Sequence, residues 1–327
     1  MTNHEKMSTK PAGCLNFLEK HQVGIYLVAI IGGLLVTPRN LEWLLAPVLG
    51  LLMLSTFAAL PLQKIRPAPR LTAIILVLNF VLVPAVIAVL TIPLRTQPVL
   101  LAGVVMVLLA PCIDYVVPFS GLAGAAHDRL LAITPVLFVV QLAVLMLVLP
   151  VIIGHDFAAT VLWPISRSVF FLLVVPLFIA WIMQRATRST HSACIAQLGR
   201  KTLLSCEIAM VPLMVLTLFA ITATYGANVL HNLNELVPVL TIYAMFAAIM
   251  VLIGVMIAKS FRLGAKDGIA TVFSGVTRNS LVIMPIALAL PAGFEAVPMV
   301  IVAQTLVELC VMLALIKSGP YLRKLLR

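Results

Sequence analysis

Apolar runs long enough to cross a bilayer follow one another along almost the whole chain, separated by short polar connections. A span needs about 17 to 25 predominantly apolar residues. Ten such runs are expected, at 21–37, 43–62, 70–92, 97–124, 129–154, 160–184, 202–223, 234–259, 265–291 and 294–317. Backbone in lipid must satisfy its own hydrogen bonds, so each run is read as a helix and the fold class as all-α, a polytopic membrane protein.

Two polar strings break this pattern inside spans. Ala110-Pro111-Cys112-Ile113-Asp114 interrupts the fourth, and Thr277-Arg278-Asn279-Ser280 interrupts the ninth. A break at mid-membrane depth survives only where protein or a water-filled cavity surrounds it. Broken spans at matching places in two halves mark the substrate site of a transporter.

Composition agrees with the pattern. Of the 327 residues 62% are hydrophobic and only 10% charged, and the mean hydropathy is +1.16, which excludes an ordinary soluble domain. The net charge of +11 does not mark a nucleic-acid binder, because the basic residues are scattered over short connections and form no patch. Five cysteines, at 14, 112, 194, 206 and 310, make no CxxC pair. No disulfide, metal site or cofactor is expected, and the thiols are read as reduced. Met1 to Lys20 lacks the compact apolar core of a cleaved signal.

Charge also orients the spans. Lys64, Arg66 and Arg70, then Arg129, then Arg185, Arg188, Arg200 and Lys201, then Lys259, Arg262 and Lys266 fall in alternate connections, with both termini on the same side. Cytoplasmic connections retain such residues, so both termini are expected in the cytoplasm. Five spans per half enter from opposite sides, which makes a duplicated unit an inverted repeat with its broken helices four and nine crossing. The expected organisation is a cytoplasmic tail at 1–20, a first segment at 21–184 holding the first repeat and span six, a linker at 185–201, spans seven to ten at 202–317 and a tail at 318–327, all one transporter domain.

Ionisable residues inside the spans are few: Asp114, Glu207, Arg278 and Glu308. Glu207 lies about a turn from the cytoplasmic edge, where a long side chain reaches water. Asp114, Arg278 and Glu308 count to mid-depth, where a charge needs a partner, water or protonation. They are read with Cys112, Asn279 and Ser280 as the substrate-binding set, supported by Asn79, Pro111, Gln141, Ser274, Thr277 and Gln304. Gln304 and Glu308 are four apart and share one helix face. Arg278 and the half-helix N-termini offer positive charge to an anionic or oxygen-rich solute. Two readings stay open: a substrate site, or a buried Asp114–Arg278 ion pair that locks helices together. No HExxH, GxGD, GxSG or DDxxD pattern supports an intramembrane enzyme.

Leu109-Ala110-Pro111-Cys112-Ile113-Asp114, Thr277-Arg278-Asn279-Ser280 and Leu306-Val307-Glu308-Leu309 resemble the arsenite permease branch of the bile acid:sodium symporter superfamily, over essentially the whole chain. The resemblance implies a core domain of spans three to five and eight to ten beside a panel domain of the other four. It places Cys112 and Glu308 at the branch's required cysteine and glutamate. Ser274 stands where sodium-coupled members carry a carboxylate and Arg278 where they carry an amide, so the oxygen ligands for sodium are missing. The implied function is arsenite efflux by a secondary active carrier in the plasma (inner) membrane, proton-coupled through Asp114 or Glu308, and sodium-independent. The alternative is a permease for a small organic anion. Expected partners are the anionic substrate, protons and the lipid bilayer, with the protein a monomer or homodimer.

Overall fold

The computed structural model describes residues 24–36, 41–59, 68–112, 116–153, 170–187, 193–288 and 292–326, with the single positions 167 and 290. Every regular element among them is helical. These are α1 (Gly24–Leu35), α2 (Glu42–Ala59), α3 (Pro69–Leu90), α4 (Pro98–Leu108), α5 (Val116–Leu122) and α6 (His127–Ile153). They continue with α7 (Val175–Ala186), α8 (Ala193–His231), α9 (Leu233–Ser260), α10 (Ala265–Val276), α11 (Ser280–Leu288) and α12 (Val297–Leu325).

Proline shapes several of these helices. A π-turn over Leu78–Leu82 widens α3 just before Pro84, and another over Phe170–Val174 leads into α7 just before Pro176. A proline lacks its own N–H and its ring crowds the carbonyl four residues back. Widening the preceding turn relieves that crowding.

Two compact units divide the chain. One takes Met1–Ala59 and Val175–Ala227, and so holds α1, α2, α7 and α8 up to Ala227. There α2 packs along α7, and the Gln184 side-chain amide donates to the carbonyls of Phe57 and Ala58, each at 3.2 Å. That contact satisfies orphan acceptors at the C-terminal end of α2.

The other unit takes Leu60–Val174 and Asn228–Arg327, with α3–α6 and α9–α12. At its centre is α10, buried on every side from Gly268 to Val276. The first half of α12 is almost as enclosed. A helix buried all round has no face turned to water, so the polar side chains of α10, Thr271 and Ser274 among them, must find partners within the protein. Close approach is made possible by glycine: a Cβ on Gly254 of α9 would lie 2.9 Å from the Val272 Cα of α10, and one on Gly103 of α4 would lie 2.8 Å from Val300 Cγ1 of α12.

One end of this unit gathers the basic connections. Arg70 donates to Phe261 O at 2.7 Å, the Ala126 N–H donates to Lys266 O at 3.0 Å, and Arg129 pairs with Asp267. Arg323 reaches Gly124 O at 3.4 Å.

Among the described residues five helices are long and apolar enough to cross a membrane, at Pro69–Leu90, His127–Leu145, Ala196–His231, Leu233–Ser260 and Val297–Leu325. The runs at 97–124 and 265–291 are each divided into two shorter helices at the polar strings. Residues 193–201 are helical, the first turns of α8, where a linker to 201 was expected. Likewise α12 continues to Leu325 through the supposed tail, because Leu322 and Leu326 are buried and hold that end in place. The N-terminal segment 1–20 lies outside the described residues.

Gly254→Ala is expected to destabilise the protein by about 1–3 kcal/mol, since the opposing atom is backbone and cannot rotate away. Gly24→Ala, at a position with nothing within 4 Å, serves as the neutral control in thermal unfolding of the purified protein.

Candidate functional site

The site begins with two helices that stop early. Pro111 disfavours helical backbone in the residue before it, so α4 ends at Leu108 and finishes in a tight turn, with the Ala110 N–H bonded to Val107 O at 3.2 Å. On the other strand, Thr277 is already extended (φ −78°, ψ 138°). Asn279 then starts α11: its Oδ1 accepts the Val282 N–H at 3.1 Å, the geometry of an N-cap.

The two interruptions meet. Asn279 N–H donates to Ala110 O at 2.7 Å and Cys112 N–H donates to Thr277 O at 3.3 Å, forming a single antiparallel bridge between Pro111 and Arg278. In such a bridge the flanking residues exchange the hydrogen bonds, while the N–H groups of the central pair point away. Proline fits one central position because it has no N–H. At the other, the Arg278 N–H is taken by Glu308 Oε1 at 2.7 Å. The second oxygen of Glu308 accepts the Gln304 amide at 2.7 Å, which confirms their common face on α12.

The side chain of Arg278, fully buried, ties up the remaining loose ends. It donates to Leu108 O at 3.2 Å, at the C-terminus of α4, and to Ser274 O at 2.9 Å and Gly275 O at 2.5 Å, at the C-terminus of α10. Asn79 Oδ1 accepts from it at 3.0 Å, and the ring of Phe246 lies 5.3 Å below the guanidinium carbon. Each helix C-terminus carries about half a negative charge, so two of them match one fixed cation. Asn79 sits in the π-turn of α3 and also donates to Ser274 Oγ at 3.0 Å and Ile75 O at 3.0 Å. π-turns of this kind recur at functional sites.

Most of the expected set is therefore assembled: Asn79, Pro111, Cys112, Ser274, Thr277, Arg278, Asn279, Gln304 and Glu308 form one buried cluster. Ser280 joins through Thr305, whose hydroxyl donates to Ser280 Oγ at 2.9 Å. Gln141 is buried on α6, but neither of its amide atoms has a hydrogen-bond partner, so no such bond links it to the cluster. Asp114 lies outside the described residues. Cys112 is 1% exposed at the bridge, whereas Cys310 of α12 is exposed and does not share its burial.

A role expected of Arg278 is reshaped by this geometry. Its guanidinium faces protein carbonyls and Asn79, and the N-terminus of α11 is capped by Asn279, so the positive charge is directed at the helix ends. Sequence reading missed the acceptors Leu108 O, Ser274 O and Gly275 O, and it missed Phe246 and Thr305. Only Thr305 carried a signal, a hydroxyl one residue past Gln304 in an apolar run. A cavity of about 10 Å³, the room of a single water, lies against Tyr243, Phe246, Gln304 and Glu308.

The chain matches no family model and no curated protein.

Removing the carboxylate separates its structural and chemical roles. Glu308→Leu strands the buried Arg278 N–H and is expected to destabilise by about 1–3 kcal/mol. Glu308→Gln keeps that acceptor, and Gln304, whose Oε1 has no hydrogen-bond partner, turns its amide to receive the new NH2 group. Thermal unfolding of Glu308→Gln should stay close to wild type, with only the small loss that a weaker, uncharged acceptor brings.

Proposed function

We propose that this protein is a secondary active transporter that exports arsenite by alternating access, driven by protons and independent of sodium. Ten spans in an inverted repeat, with both termini in the cytoplasm of a cell bounded by the plasma membrane, complete the reading. The observation that carries it is the bridge between 110–112 and 277–279, which joins two mid-span breaks around a buried cation and a buried carboxylate.

Other features support it. The unit that contains the crossing takes the runs assigned to spans three to five and eight to ten with the first part of span six, and the other unit takes spans one, two and seven with the remainder of six, close to the grouping of a core and a panel. In transporters with broken helices, half-helix C-termini and unwound carbonyls hold the coupling cation. Here Arg278 takes those acceptors, supplying permanently a charge that sodium would supply reversibly. Glu308 is then the titratable group next to the fixed cation, with Asp114 a second one two residues past Cys112. Protonation drives a cycle only if it changes how strongly the two conformations hold their partners. Loss of charge on Glu308 weakens its hold on the Arg278 N–H and loosens the bridge.

Cys112, beside the break, contributes a soft sulfur suited to a metalloid, and a single thiol binds weakly enough for release. The metalloid is favoured over a small organic anion, because an anion drawn to Arg278 would have to displace the protein oxygens it already serves.

Flux of arsenite in proteoliposomes tests the reading. An imposed proton gradient should drive it, a sodium gradient should not, and Glu308→Gln should lower proton-driven flux at least about tenfold while remaining folded. Strictly sodium-dependent flux that ignores a proton uncoupler would overturn the proposal. So would preferential transport of small organic acids.

A further inference from the structure

At the basic end of the larger unit, well away from the crossing, two clefts share one arginine. The first, about 750 Å³, lies between the start of α6 and the start of α10, and its charged or titratable lining is His127, Asp128, Arg129, Lys266, Asp267 and Arg323. The second, about 470 Å³, is lined by Leu122, Ala123, Gly124, Pro320, Arg323 and Lys324. The first is ringed by charged side chains, the second adds the apolar Leu122, Ala123 and Pro320, and Arg323 borders both.

The charges are unevenly matched. Arg129 pairs with Asp267 and His127 contacts Asp128 at 3.0 Å. Among the described residues Lys266, Arg323 and Lys324 form no ion pair with a carboxylate. Arg323 is held in place by the turn after α5: Gly124 has φ +84°, and a Cβ there would lie 2.0 Å from Arg323 Nη2, so only glycine lets the guanidinium rest on the turn and donate to Gly124 O. Tyr321, two residues before Arg323, is 78% exposed, as expected of an aromatic ring at the level of lipid headgroups.

We propose that the paired clefts bind one anionic phospholipid, its phosphodiester between Lys266 and Arg323 and the start of its acyl chains along Leu122, Ala123 and Pro320. A basic pocket alone would suit any phosphate. The apolar wall continuous with it, at the end of a unit built from membrane-length helices, selects a lipid. A headgroup seated there ties the α5–α6 turn, the α9–α10 turn and the end of α12 to one another.

The test uses the full-length protein and counts bound lipid by native mass spectrometry, with phosphatidylglycerol, phosphatidylcholine and inorganic phosphate as separate probes. Wild type should hold phosphatidylglycerol in preference to phosphatidylcholine. A headgroup contact is worth about fivefold in affinity per cation, so Lys266→Gln with Arg323→Gln should weaken it about thirtyfold. The charge-keeping pair Lys266→Arg with Arg323→Lys should stay within about twofold of wild type, and it covers the case in which the neutral pair fails to fold. Arg200→Gln with Lys201→Gln, removing two exposed cations of the other unit, should change little. Equal loss in that control, unchanged affinity in the neutral pair, or displacement by inorganic phosphate with no preference for lipid would each overturn the assignment.

Discussion

An interrupted helix in a membrane must find partners for the backbone groups it releases, and here two interruptions supply each other. Without water, each unpaired N–H or C=O costs several kcal/mol. The bridge at Pro111 and Arg278 accounts for the groups at its flanks, proline removes one donor, Glu308 receives another, and the guanidinium collects three carbonyls from two helix ends. Remove any of these and a buried polar group is stranded. The crossing is for that reason both the most constrained place in its unit and the place where a change of protonation has the greatest structural leverage.

From this follows the arrangement around it. The helices that enclose the crossing, α10 and the first half of α12, are buried on nearly all sides, and close approach through Gly103 and Gly254 leaves little room for water. Phe246 and Asn79 then complete the surroundings of the cation from α9 and α3. On the proposed reading as a transporter, a cation fixed to the chain provides a site that two conformations share and that does not leave with each cycle.

Much of the site was legible because polar residues in an apolar run have few innocent explanations. Arg278, Glu308 and Asn79 stand out by type alone, and the four-residue spacing of Gln304 and Glu308 places them on one helix face, where the structure adds the hydrogen bond between them. The chemistry that joins Arg278 to its surroundings was not legible, since carbonyl groups of Leu108, Ser274 and Gly275 have no side-chain signature. Nor could the π-turn be read, although Pro84, five residues past Asn79, is its physical cause. Boundaries are harder to read: the charged stretches 193–201 and 318–325 look like connections but continue the helices α8 and α12. Cys310 shows the same limit, because its direction on α12 depends on packing and its exposure could not be counted from the sequence.

Chemical rescue of Arg278→Ala tests most directly whether a tethered cation holds the crossing together. The variant should unfold at a lower temperature and, under the proposed function, lose arsenite flux, because the ends of α4 and α10 are left without the positive charge that both share. Free guanidinium, at concentrations far below those that denature proteins, should restore part of both, while urea of the same size should restore neither. A variant as stable and active as wild type, or one that urea rescues equally, would contradict that role for Arg278.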